Sequence, residues 1–90
     1  MADIYLCPSM MCADFGNLKN EVTSLEKAGA DIFHIDIMDG KYVPTIGMGL
    51  QDFKVIRETT DLMLDVHLMV EKPSAYVQMF AELGADIIYI

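Results

Sequence analysis

The tetrapeptide Gly29-Ala30-Asp31-Ile32 returns as Gly84-Ala85-Asp86-Ile87, and each copy stands between an amphipathic stretch and an apolar run. A glycine that ends a helix and leads directly into a strand marks a chain that alternates the two elements. The interval holds two strand-plus-helix units of about 27 residues each, close to one unit's share when a barrel of about 250 residues is divided among eight. The first copy precedes the most informative run of the chain, Ile32-Phe33-His34-Ile35-Asp36-Ile37-Met38-Asp39-Gly40. Period-two alternation puts His34, Asp36 and Met38 on one face of that strand and Ile35 and Ile37 on the other, under a covering helix.

Read in order, Ile4-Tyr5-Leu6-Cys7 is a short buried strand stopped by Pro8, with Ser9 at its carboxyl end. Leu18, Val22 and Leu25 recur at helical spacing, with Lys19, Glu21 and Lys27 on the wet side and Gly29 as the stop. After the central strand, segment 41–49 is too rich in Gly and Pro to be regular and is long for such a connection. Leu50, Phe53 and Ile56 mark a second helix, and 62–70 reads as a third strand with Asp65, His67 and Met69 on one face. Lys72-Pro73-Ser74 opens a third helix whose apolar stripe is Val77, Phe80 and Leu83, and 86–90 begins a fourth strand. Residues 1–90 are expected to form one α/β unit, the amino-terminal portion of a single (β/α)8 barrel, with three strand–helix pairs and a fourth strand. A small doubly wound sheet is the alternative, but no glycine-rich phosphate loop follows the first strand.

A His and an Asp side by side in a buried strand are costly unless something pairs with them, and a divalent cation would do so. If the second and third strands are neighbours, His34, Asp36 and His67 converge at one carboxyl-terminal rim, and three such ligands leave a position open for substrate. Ser9, on the expected flank, would reach a substrate there. Met38 and Met69 either fill the core or lay soft apolar side chains over the bound ligand. Asp65 either holds a ligand imidazole or makes a structural pair, and Asp39 is expected to serve the turn before Gly40. Lys41, Arg57 and Lys72 are expected in solvent.

Composition narrows the class of partner. With 53% hydrophobic and 22% charged residues the chain is an ordinary globular one. Six basic against fourteen acidic residues, net −8, argue against nucleic acid or an anionic membrane as partner, but not against a small anion. The longest apolar runs fall short of a span, and Met1-Ala2-Asp3 lacks the basic start of a signal peptide, so the expected compartment is the cytoplasm. Cys7 and Cys12 lack Cys-x-x-Cys spacing and are expected to be reduced.

With these residues in view, the chain resembles the ribulose-phosphate 3-epimerase family, which includes allulose-6-phosphate 3-epimerases. The resemblance runs the length of the chain and rests on Pro8-Ser9 with Ala13-Asp14, Gly29-Ala30-Asp31, His34 to Gly40 with Val43-Pro44, and Asp65 to Val70 with Lys72-Pro73. It implies a (β/α)8 barrel, one divalent ion (zinc, iron, manganese or cobalt) held by His34, Asp36 and His67, and Asp36 as an acid/base. Substrate contacts would come from Ser9, His67 and the methionine cap Met38 and Met69. The implied reaction inverts C3 of a ketose phosphate through an enediolate, and a homo-oligomer is expected. A second aspartate near the seventh strand, also the fourth metal ligand, and the phosphate site would lie outside these 90 residues. Lys41-Tyr42-Val43-Pro44-Thr45 stands where the family commonly has His-Phe-Val-Pro-Asn, which leaves ribulose 5-phosphate and allulose 6-phosphate both open as substrates. The expectation is therefore the amino-terminal part of a longer enzyme, inactive by itself; the alternative is a non-catalytic half-barrel or assembly module with a partial metal site.

Overall fold

The computed structural model describes residues 4–90. Three parallel strands, β1 (Ile32–Met38), β2 (Met63–Met69) and β3 (Ile87–Tyr89), lie in the order β1-β2-β3. Helix α1 (Leu18–Lys27) precedes β1, α2 (Leu50–Thr59) joins β1 to β2, and α3 (Ser74–Leu83) joins β2 to β3. The α/β alternation and the helix bounds agree with the periodicity of the sequence. Phe33, Ile35 and Ile37 of β1 and Leu64, Val66 and Leu68 of β2 are buried on one sheet face with Val22, Phe53, Ile56 and Phe80 of the helices. Phe53 and Phe80 meet edge to face with ring centroids 5.3 Å apart, tying α2 to α3. Burying each of these side chains fully contributes about 1.5–3 kcal/mol, which is what holds the helices to the sheet. Among the described residues no helix is long and apolar enough to cross a membrane.

The repeated tetrapeptide does the same work twice. Gly29 and Gly84 both stand at φ 110°, a left-handed conformation that L side chains adopt only under strain. Beyond them the Ala30 N–H reaches back to Leu25 O at 3.1 Å, and the Ala85 N–H to Phe80 O at 3.0 Å, closing each helix in the same way. Each aspartate then clamps the neighbouring chain. The Asp31 N–H donates to Leu6 O at 2.9 Å while its carboxylate accepts the Leu6 N–H at 2.8 Å. The Asp86 N–H donates to Leu64 O at 2.9 Å while its carboxylate accepts the Leu64 N–H at 2.9 Å. The motif therefore ends a helix and fixes the start of the next strand against its neighbour.

Three expectations are corrected. Residues 4–7 are not a buried strand: Ile4, Tyr5 and Leu6 are exposed, and along β1 itself the segment and Pro8 offer carbonyl acceptors. Leu6 O accepts the Ile32 N–H at 3.2 Å and Pro8 O the His34 N–H at 2.9 Å. The rung between them would need an N–H from Pro8, which proline lacks, so the ladder shrinks to a single bridge between Ser9 and His34. In α3, Val77 faces out, and Tyr76 with Phe80 and Leu83 turns toward the core. Arg57 is not a solvated charge. Its Nη1 donates to Gly84 O at 3.0 Å and Asp86 Oδ2 at 3.3 Å, and its Nη2 to Thr60 O at 2.8 Å and Leu62 O at 2.7 Å. One guanidinium thus satisfies the end of α2, the approach to β2 and the approach to β3.

At the opposite end of the sheet β1 stops at Met38 because Asp39 turns the chain. Asp39 Oδ1 accepts the N–H groups of Lys41 (2.8 Å) and Tyr42 (2.9 Å), and Gly40 takes φ 77°. Its Oδ2 accepts the Glu71 N–H at 2.8 Å, so the turn after β1 is also tied to the loop after β2. The hydrogen bond from Glu71, and then that from Lys41, holds the Asp39 carboxyl below its ordinary value of 3.8, against a smaller opposing effect of desolvation.

Two outcomes follow from these ties. Replacing Arg57 with Ala is expected to lower stability by about 2–3 kcal/mol in a denaturant titration of the full-length polypeptide, because several carbonyls lose their donors. Replacing it with Lys restores only part, since a point charge cannot reach four acceptors. Because the pKa of Asp39 is depressed on folding, its clamp is intact above the ordinary value near 3.8 and is released as pH falls through the lower folded value. Amide exchange should therefore quicken at Lys41, Tyr42 and Glu71 in that acid range, and Asp39→Ala should show the fast rates already at neutral pH.

Candidate metal centre

The register of β1 on β2 decides which side chains meet. Asp36 stands opposite His67, His34 opposite Asp65, and Met38 opposite Met69, all on the sheet face away from the helices. On the other flank of β1, Ser9 bridges to His34. The 3₁₀ turn Met10–Cys12 starts at Ser9, whose Oγ accepts the Met11 N–H at 3.4 Å, and Met10 anchors that turn in the core. Asp36 is consequently enclosed from both sides.

The carboxylate of Asp36 is only 8% exposed as a residue and is the hub of the cluster. Its Oδ2 accepts from Ser9 Oγ at 3.1 Å, and its Oδ1 lies 2.9 Å from His34 Nε2 and 3.5 Å from His67 Nδ1. One donor atom from each of His34, Asp36 and His67 falls within 4.8 Å of the others. Bonds of about 2.0–2.2 Å to one central ion separate ligand atoms by no more than about 4.4 Å, and the 2.9 and 3.5 Å distances from Asp36 Oδ1 to the two imidazoles lie within that range, so the donor set fits a divalent metal. Two imidazoles and one carboxylate suit zinc, iron, manganese or cobalt alike and leave at least one position free.

His34 lies between two carboxylates, since its Nδ1 is hydrogen-bonded to Asp65 Oδ1. Burial is the largest single influence on His34 and disfavours its charge. The Asp65 hydrogen bond and the charges of Asp36 and Asp65 together outweigh it, so the pKa is raised above 6.5. A site that draws positive charge to this spot is one in which a metal cation can replace the proton.

Of the residues the sequence singled out, Ser9, His34, Asp36 and His67 come together. Met38 follows on the same face, and its side chain packs on Gly47, where an added Cβ would collide with it. Met69 is half-buried beside Met38 in register. Tyr89 was not anticipated. Its ring lies 6.4 Å from those of both His34 and His67, and it helps line the open hollow formed with Asp65 and Ile90. Period-two alternation puts Tyr89 on a face with Ile87, and the register with β2 brings it opposite His67.

The model of the "Ribulose-phosphate 3 epimerase family" matches residues 5–90. A ribulose-phosphate 3-epimerase of Bacillus subtilis is 49% identical over 87 residues, covering 97% of this chain and 40% of the relative. One from Synechocystis is 46% identical over 88 residues, 98% of this chain and 38% of the relative. The chloroplastic ribulose-5-phosphate-3-epimerase of Arabidopsis thaliana is 43% identical over 89 residues, 99% and 32% respectively. The chain thus spans two fifths or less of the length of these relatives.

Ligand removal gives a direct check. Zinc at about a hundredfold over its Kd should stabilise the folded protein by about 2.7 kcal/mol. The corresponding rise in Tm should vanish on adding a chelator and be absent in His67→Ala, as read by calorimetry.

Proposed function

This chain belongs to the ribulose-phosphate 3-epimerase family, and we propose that it is the amino-terminal part of a metal-dependent ketose-phosphate 3-epimerase. The three-stranded parallel sheet, with the extended segment ending at Ser9 on its flank, is then one arc of a (β/α)8 barrel. The names of the relatives favour ribulose 5-phosphate, converted to xylulose 5-phosphate, over allulose 6-phosphate.

The observation that carries the reading is the environment of Asp36. A buried carboxylate with one oxygen restrained by Ser9 and the other facing two imidazoles is held in a single orientation at the carboxyl-terminal end of its strand. The C3 proton of a 2-ketose is acidified by the neighbouring carbonyl, and Asp36 would be the base that takes it. A divalent ion held by His34, Asp36 and His67 would stabilise the negative charge that develops on the enediolate oxygens. Asp36 serves one face of the planar intermediate. Inversion requires that the proton be returned to the other face, and in this reading a second acid from the rest of the barrel would return it. Met38 and Met69, paired at the end of the strands, are the groups available to keep water from the intermediate.

The test is exchange of the C3 proton of ribulose 5-phosphate in D2O, followed by NMR with the full-length polypeptide. The wild type should exchange and epimerise, and Asp36→Asn should lose roughly 10²- to 10⁴-fold of the rate. An Asp36→Asn protein that exchanges C3 at the wild-type rate would remove Asp36 from the reaction.

A further inference from the structure

Asp65 is buried more deeply than any of the three candidate ligands, at 6% exposure, yet it is not one of them. It stands directly opposite His34 in the β1–β2 register, and its Oδ1 is hydrogen-bonded to His34 Nδ1. The other ring nitrogen, Nε2, points the opposite way, 2.9 Å from Asp36 Oδ1, where the donor atoms converge. An ionised carboxylate can only accept a hydrogen bond, and a neutral imidazole has one N–H to give. When Asp65 takes that N–H at Nδ1, the lone pair is left on Nε2.

We propose that Asp65 is a positioning residue: it fixes His34 as the Nδ1–H tautomer and thereby presents Nε2 as the metal-binding atom. The proposal rests on the metal reading above and adds to it the means by which one ligand is oriented. Both ends of the link sit on strands with their backbones hydrogen-bonded, so the ring is held by the sheet and not by a loop. His67, whose side chain is 40% exposed, has no such carboxylate from the facing strand; opposite it in register are Asp36, a ligand itself, and Tyr89. The two imidazoles are therefore unequal, with His34 fixed in advance and His67 free to adjust as the ion enters. Hydrogen bonds of this kind behind a ligating imidazole typically matter 10- to 100-fold in metal affinity.

The experiment uses the full-length polypeptide labelled with ¹⁵N and loaded with ¹¹³Cd, together with competition titrations of zinc against a chromophoric chelator. In the wild type, one-bond coupling to cadmium should appear at His34 Nε2 and not at Nδ1. Asp65→Leu should weaken zinc binding about 10- to 100-fold and lose or shift that coupling. Asp65→Asn, which keeps an acceptor oxygen in the same volume, should weaken binding less than tenfold and retain the coupling at Nε2. Coupling at Nδ1 in the wild type would overturn the proposal, as would an Asp65→Asn protein that loses the coupling. An Asp65→Leu protein with wild-type affinity would do the same. Should Asp65→Leu not fold, the wild-type and Asn spectra still decide. A wild type that binds neither metal would instead reject the metal reading itself, a distinct failure.

Discussion

Everything at the candidate site depends on the register of β1 against β2. A shift of one residue would turn His67 and Asp65 toward the helices and carry Val66 and Leu68 to the open face. The register is defended from both sides. On the helix side, six apolar strand residues must lie under three helices at once, which a slipped strand cannot satisfy. At the carboxyl ends of the two strands, Asp39 accepts the Glu71 N–H at 2.8 Å, which ties the turn after β1 to the loop after β2.

The two ends of the sheet have been given different tasks. At the amino-terminal end the polar side chains are satisfied by backbone: Asp31 by Leu6, Asp86 by Leu64, Arg57 by carbonyls from two connections. At the carboxyl-terminal end polar side chains face one another, and His34 is caught between Asp36 and Asp65. Such a cluster is poor material for stability, because each buried charge must recover its lost hydration from its neighbours. It is suited to holding a cation. The division matches the general separation of stability and chemistry between the two faces of parallel α/β barrels.

How much of this was legible in the chain follows from what periodicity encodes. A period of two assigns a face, and a period of 3.6 assigns a stripe, so the three helices, the strand cores and the shared face of His34, Asp36 and His67 were readable. Pairing across strands is not written in either period. The Asp65–His34 hydrogen bond and the place of Tyr89 depend on which residues stand opposite one another, and both became definite only with the register. Arg57 was misjudged because its partners are carbonyls, which every residue has and no sequence pattern displays. Residues 4–7 have a strand's composition, but Pro8 removes the donor that would carry the ladder past one bridge. Met38 packs on Gly47, a neighbour from an irregular loop that no period displays.

The central claim is that the β1–β2 register assembles one metal-binding position from two strands. Anomalous diffraction from crystals of the full-length polypeptide, collected on both sides of the absorption edge of the bound metal, tests it most directly. The account predicts a single anomalous peak about 2.0–2.2 Å from donor atoms of His34, Asp36 and His67 together. A peak bonded elsewhere, with His34 and His67 still facing Asp36 and no ion among them, would contradict it.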